Sequence, residues 1–219
     1  MLKLFDIRNK LYLVVLFIFV FSASFGAKAF SVDKVLEKYS SASGIKAQFQ
    51  KTDSKKTLGL NQTASGTLNY AAGKINIVIQ GDRKSEIIFN GKKLWIIDYP
   101  DLDFDPKGKR KVTEISDHKP ALAQQLVNLF QSPDQFKQNF QVSNKSDQGK
   151  FYTVEYKSKD KSIKNFKIEF NTYKNLINSI SFTDDVQTET KIEFKKTEFL
   201  KKAPAGIFEY KRNKNDEVM

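Results

Sequence analysis

Apolar and polar residues alternate with a period of two through most of this chain, and no other feature narrows its fold so far. Ile75, Ile77 and Ile79 point one way, with Asn76 and Gln80 opposite. Phe166, Ile168 and Phe170 alternate with Lys167 and Glu169, Ile180 and Phe182 repeat the pattern, and Ile192 and Phe194 alternate with Lys191, Glu193 and Lys195. Successive side chains on a strand point to opposite sides, so these segments read as strands with one apolar and one wet face. The first half agrees. Ile45, Ala47 and Phe49 alternate with Lys46, Gln48 and Gln50, and Gly66, Leu68 and Tyr70 follow a polar hairpin region at 52–62. Ile87 and Phe89 run into Asn90-Gly91, the strongest short hairpin signal, and Leu94 and Trp95 begin a return strand that stops at Pro100.

Only three short helical patterns interrupt the strands. Val32, Val35, Leu36 and Tyr39 recur at helical spacing behind Ser31, a candidate N-cap. Pro120 opens a second helix whose stripe is Leu122, Leu126, Val127 and Phe130, and Ser132-Pro133 starts a third with Phe136 and Phe140. Between strands and helices lies a charged connector, 101–119, with room for one short strand at 111–115. About ten or eleven strands with one apolar face, and so little helix to cover it, predict an α+β fold. The sheet is an unclosed, strongly curved antiparallel half-barrel, with the helices covering its concave apolar face. The expected lining of that concavity is Phe49, Leu68, Tyr70, Ile75, Ile77, Ile79, Phe89, Leu94, Trp95, Phe166, Ile168, Phe170, Ile180, Phe182, Ile192 and Phe194. The helix at 120–130 is its expected lid.

Lys3, Arg8 and Lys10 precede an apolar run at 11–21, and Ala27-Lys28-Ala29 is a small-x-small cleavage site. Residues 1–29 therefore read as a cleaved signal peptide and 30–219 as a single exported domain. Its charged tail at 211–219 is expected to lack order. The mature chain would begin at Phe30 rather than at a lipid-bearing cysteine. The sequence contains no Cys at all, which excludes disulfides, zinc thiolate sites and thiol catalysis. Of 37 Lys+Arg and 25 Asp+Glu, removal of Lys3, Arg8, Lys10, Lys28 and Asp6 leaves 33 against 24, a net charge of +9. Export and plain Lys/Glu alternation on the outer faces argue against a nucleic-acid partner. The one His, His118, lacks partners for a triad or a metal cluster. Asp101, Asp103 and Asp105 start like a calcium loop, but Pro106 and Val112 stand where Gly and Glu are needed. No catalytic residue, metal or cofactor is expected.

Several segments in order carry a resemblance. They are the leader and N-terminal helix, Phe49-Gln50, Gly66-Thr67-Leu68, Asn90-Gly91-Lys92-Lys93-Leu94-Trp95 leading to Tyr99-Pro100, the mid-chain helix pair, and Phe208. Over nearly the whole mature chain this resembles the outer-membrane lipoprotein carrier family, LolA. The resemblance implies a periplasmic, monomeric chaperone without enzymatic activity, whose half-barrel holds the acyl chains of triacylated lipoproteins. It implies collection of that cargo from an inner-membrane ABC-type transporter and delivery to an outer-membrane receptor. Burying a methylene is worth about 0.8 kcal/mol, so acyl chains crossing water need such a cavity. Many members of the family carry Arg-Pro after the Gly-x-Leu strand, and that Arg helps latch the lid. Here the stretch is Tyr70-Ala71-Ala72-Gly73-Lys74, with Ala72 in the place of the Arg. The same cavity chemistry fits an exported lipoprotein-binding sensor or a phospholipid or glycolipid shuttle.

Overall fold

Two turns show why the first half folds as a meander. Asn90 accepts hydrogen bonds at its side-chain oxygen from the backbone N–H of Lys92 (3.0 Å) and Lys93 (2.9 Å), while Gly91 takes φ +92°. At 72–73 both residues have positive φ, +46° for Ala72 and +75° for Gly73. That is the two-residue turn whose twist matches antiparallel strands.

The computed structural model describes residues 30–55, 58–101, 103–115, 121–158, 163–184 and 187–219. The expected signal peptide, His118, Pro120 and the side chain of Leu122 lie outside the described residues. Residues 32–219 form one compact unit. It opens with α1 (Val32–Ser40), then β1 (Gly44–Lys55), β2 (Leu60–Ala71), β3 (Lys74–Gln80), β4 (Lys84–Phe89), β5 (Leu94–Asp98) and β6 (Lys111–Ile115). Helices α2 (Ala121–Gln131) and α3 (Pro133–Asn139) follow. The chain ends with β7 (Phe140–Asp147), β8 (Phe151–Ser158), β9 (Ile163–Asn171), β10 (Leu176–Asp184), β11 (Thr188–Leu200) and β12 (Glu217–Val218).

Among the described residues all twelve strands form one sheet in the order β12-β6-β5-β4-β3-β2-β1-β11-β10-β9-β8-β7. β12 and β7 stand at opposite edges, so the half-barrel is unclosed. Every pairing is antiparallel except β12 with β6. β11 returns to pair along the whole of β1 and joins the two halves. β7 was not anticipated: its residues are mostly polar and exposed, so it carries no alternation to read.

Directly paired residues share a face, and the register draws continuous rows. Ile45, Tyr70, Ile75, Phe89 and Leu94 form one row, and Ala47, Leu68, Ile77, Ile87 and Ile96 the next. Phe49 faces Gly66 on one side and Phe194 on the other. A Cβ on Gly66 would lie 2.3 Å from Phe49 Cζ and 2.5 Å from the Val78 carbonyl oxygen. Only glycine lets the Phe49 ring lie over β2 there. In the other half Ile192, Ile180, Ile168 and Val154 form a row, and Phe182, Phe166 and Tyr156 another.

Two expectations are corrected. Trp95 is not on this face. It neighbours Leu94 on one strand and so points the opposite way. There it builds an outer core with Ile88, Ile97 and Val112, against which Tyr99 and Tyr210 pack. Its indole N–H donates to Glu114 Oε2 at 2.9 Å. The tail at 211–219 is not without order either. β12 pairs with β6, Glu217 N donates to the Arg110 carbonyl at 2.9 Å, and Arg110 grips the Asp216 carboxylate. One tail charge, Asp216, is paired, while Lys211, Arg212, Lys214 and Glu217 stay exposed, a division that composition alone does not reveal.

Candidate functional site

The face that carries α1, α2 and α3 is the one the alternation identified. The register places Phe49, Leu68, Tyr70, Ile75, Ile77, Ile79, Phe89, Leu94, Phe166, Ile168, Phe170, Ile180, Phe182, Ile192 and Phe194 on it together. It also carries Ile87, Ile96, Val154 and Tyr156, which the sequence reading left out. Ile87-Ile88-Phe89 and Leu94-Trp95-Ile96-Ile97 are apolar on both faces, so alternation does not show which residues turn inward. Counting back by two from Phe89 would have found Ile87.

Tyr39, at the end of α1, is a pin for this assembly. Its ring stacks on Phe130 of α2 at 5.5 Å and meets Phe199 of β11 edge-on at 5.1 Å. Its hydroxyl accepts the backbone N–H of Ile177 at 3.1 Å, beside the bulge in β10. Burial pushes the Tyr39 phenol up to about 12. Phe130 also meets Tyr70 edge-on at 5.4 Å. Gln131, the next residue, lies against Gly73: a Cβ built there would be 2.6 Å from its Oε1. The end of α2 is thus seated on the β2–β3 turn by an aromatic contact and an amide. Farther round, Phe136 of α3 packs on Phe140, Tyr156 and Phe166 at 4.6, 5.3 and 5.2 Å.

Of the stripe read on α2, Leu126, Val127 and Phe130 are described, and the buried side of the helix is wider than these three. Ala123, Leu126, Val127, Leu129 and Phe130 are all buried. Among them Ala123 and Leu129 are additions to the stripe read from sequence. The same helix carries one flaw: Gln125 Oε1 is buried and has no hydrogen-bond partner. An unsatisfied buried acceptor costs about 1–3 kcal/mol. Gln125→Met should therefore raise the unfolding free energy by an amount of that order, and slow amide exchange along 121–131. Faster exchange in the variant would show that the glutamine is satisfied when the helix is closed.

Burial is graded along the strands. Near the 72–73 and 90–91 turns Ile45, Tyr70, Ile75, Phe89 and Leu94 are fully covered. Toward the other end Ile79, Ile87, Ile96, Phe182 and Phe194 are only half-buried. The inward face is thus closed at one end and left partly open at the other, where these apolar side chains stay half-exposed.

An amphipathic half-barrel of this kind has a counterpart among known sequences. The family model described as "Outer membrane lipoprotein carrier protein LolA" matches residues 40–211. The chain belongs to the LolA family. It shares that family's character of a lipid- or lipoprotein-binding carrier fold. No curated protein matches it. Among solved structures it is similar to an uncharacterised conserved protein from Thermus thermophilus, with 8% identity, TM-score 0.47, and 85% of this chain and 96% of that one covered. It is similar also to a LolA superfamily protein from Nitrosomonas europaea, with 11% identity, TM-score 0.41, and 83% and 99% covered. A third is MucB in the Pseudomonas aeruginosa MucA/MucB complex, with 12% identity, TM-score 0.35, and 80% and 57% covered. These likenesses are distant.

Proposed function

We propose that this protein is a periplasmic carrier that shelters the acyl chains of lipoproteins between an inner-membrane ABC-type transporter and an outer-membrane receptor, and that it catalyses no reaction. One observation carries the reading: a predominantly apolar inward face, closed by helices at one end and half-exposed at the other. Opening α2 exposes Leu126, Val127, Leu129 and Phe130, at about 1.5–3 kcal/mol each, or roughly 6–12 kcal/mol in all. One acyl chain with a dozen methylenes returns about 10 kcal/mol when it is buried. The lid is therefore balanced to open in exchange for cargo and to close again when cargo leaves.

The test is release of lipoproteins from spheroplasts by added protein. Ile79 is half-buried on the inward face, clear of the fully covered rows. Ile79→Glu should keep the fold and lose release, because a carboxylate on that surface would have to give up its water when acyl chains cover it. Release equal to the parent protein would rule out this face as the cargo site. Mass spectrometry of what copurifies from the periplasm separates the carrier from its rivals: triacylated lipoprotein supports it, and a phospholipid or glycolipid in its place points to a shuttle.

A further inference from the structure

The inward face changes chemistry toward its open end. On β1 the inward row reads Ile45, Ala47, Phe49, Lys51 and Asp53, so the last two members are charged where the first three are apolar. Lys51 Nζ donates to Asp53 Oδ2. Thr190, directly across on β11, donates its hydroxyl to Asp53 Oδ1 at 2.6 Å. The Lys51 and Asp53 side chains are only 27% and 24% exposed. Buried Phe49 and Ile192 adjoin them, and a cleft of about 360 Å³ takes in the pair together with Gln62, Ile79, Asp82 and Arg83.

An ion pair on an apolar face costs desolvation that a pair of aliphatic residues would avoid. The sheet does not need it, since Ala64 pairs with Lys51 on the next strand without any polar group. What the pair retains is bonding capacity. An ammonium has three donors and a carboxylate about four acceptor sites. One donor and two acceptor sites are engaged here. The cleft holds two cations, Lys51 and Arg83, and two carboxylates, Asp53 and Asp82, so its formal charge is zero.

We propose that Lys51, Asp53 and Thr190 form a polar subsite for the uncharged ester and amide groups that join acyl chains to a protein N-terminus. The proposal rests on the carrier reading and names what that site recognises beyond the chains. Ester and amide carbonyls accept from Lys51, and an amide N–H donates to Asp53. With its charge already balanced, the subsite offers no net attraction to the phosphate of a phospholipid. It therefore favours an acylated peptide over a phospholipid with the same chains.

The experiment titrates the purified protein, loaded with the uncharged apolar dye N-phenyl-1-naphthylamine, with a triacylated cysteinyl lipopeptide or with phosphatidylglycerol. The parent protein should bind the lipopeptide more tightly. Lys51→Met and Asp53→Asn should each weaken lipopeptide binding about tenfold, the loss of one charged hydrogen bond, with dye affinity unchanged. Asp53→Asn, which leaves Lys51 uncompensated, should also bind phosphatidylglycerol more tightly than the parent. Thr190→Val, nearly isosteric, should weaken lipopeptide binding alone, and it carries the test if the charge variants fail to fold. Variants that bind dye normally and keep full lipopeptide affinity would overturn the subsite and leave the carrier reading standing. A parent protein that prefers phosphatidylglycerol would also overturn the subsite. A parent protein that binds neither ligand would end both.

Discussion

Phe130→Ala is expected to lower the unfolding free energy by about 3–5 kcal/mol, the usual cost of removing a buried aromatic ring. Phe130 is 1% exposed and lies between Tyr39 of α1 and Tyr70 of β2. Its loss frees one end of α2 from two elements at once, so the damage should concentrate at that helix. Urea unfolding measures the total, and amide exchange locates it: protection along 121–131 should fall further than along β1 or β11. A loss below about 1 kcal/mol, within the range of ordinary surface substitutions and mild core changes, would mean that the helix is not held by this ring. Acyl-ligand binding gives an independent sign. A lid loosened in the empty state costs less to open, so affinity for an acyl ligand should rise while stability falls.

The second large effect is expected at Asp216. Its side chain is 1% exposed. It accepts from Arg110 Nε and Nη2, both at 2.7 Å, from the Tyr210 hydroxyl at 2.6 Å and from the Asn213 backbone N–H at 2.7 Å. Removing one partner of such a pair costs about 3 kcal/mol, because the other charge is stranded. Asp216→Ala should therefore release β12 and loosen Tyr210 from Trp95, whose ring centroids are 5.9 Å apart. Trp95 is the only tryptophan, so its emission reports the event without a label. The Arg110 guanidinium holds the Asp216 carboxyl well below the usual carboxylate range, and Asp216 in turn pushes Arg110 further up. A depressed carboxyl contributes stability that is present above its ordinary unfolded value, about 3.9, and is lost as pH falls through the folded one. Acid should thus free the tail only below about pH 4. Asp216→Asn should flatten that acid limb, and an unchanged limb would assign it to other carboxylates.

Much of this architecture was legible beforehand because it is local. Period-two alternation identified the inward residues of β3, β9, β10 and β11, and helical spacing found α1, α2 and most of its stripe. The short strand expected at 111–115 is β6. Asn90 announced its turn because its own side chain closes it. The family was legible because the order of such signals is itself specific. Trp95 was misplaced because the run from Leu94 to Ile97 is apolar on both sides, so period two carries no phase there. β7 and the tail were misjudged because polar residues look alike whether they meet water or a partner.

The sequence by itself determined the strands that alternate, their apolar phase where one side was polar, the helices meant to cover them, and the carrier class. Each of these follows from the geometry of a few neighbouring residues. Only the tertiary structure decided that β11 closes on β1 and that Tyr39, Phe130 and Tyr70 meet. It alone showed that Trp95 belongs to an outer core tied down by Arg110 and Asp216, and that Lys51 and Asp53 face inward beside Thr190. These contacts join residues far apart in the chain, and whether a charge is solvated or paired depends on what folding brings opposite it.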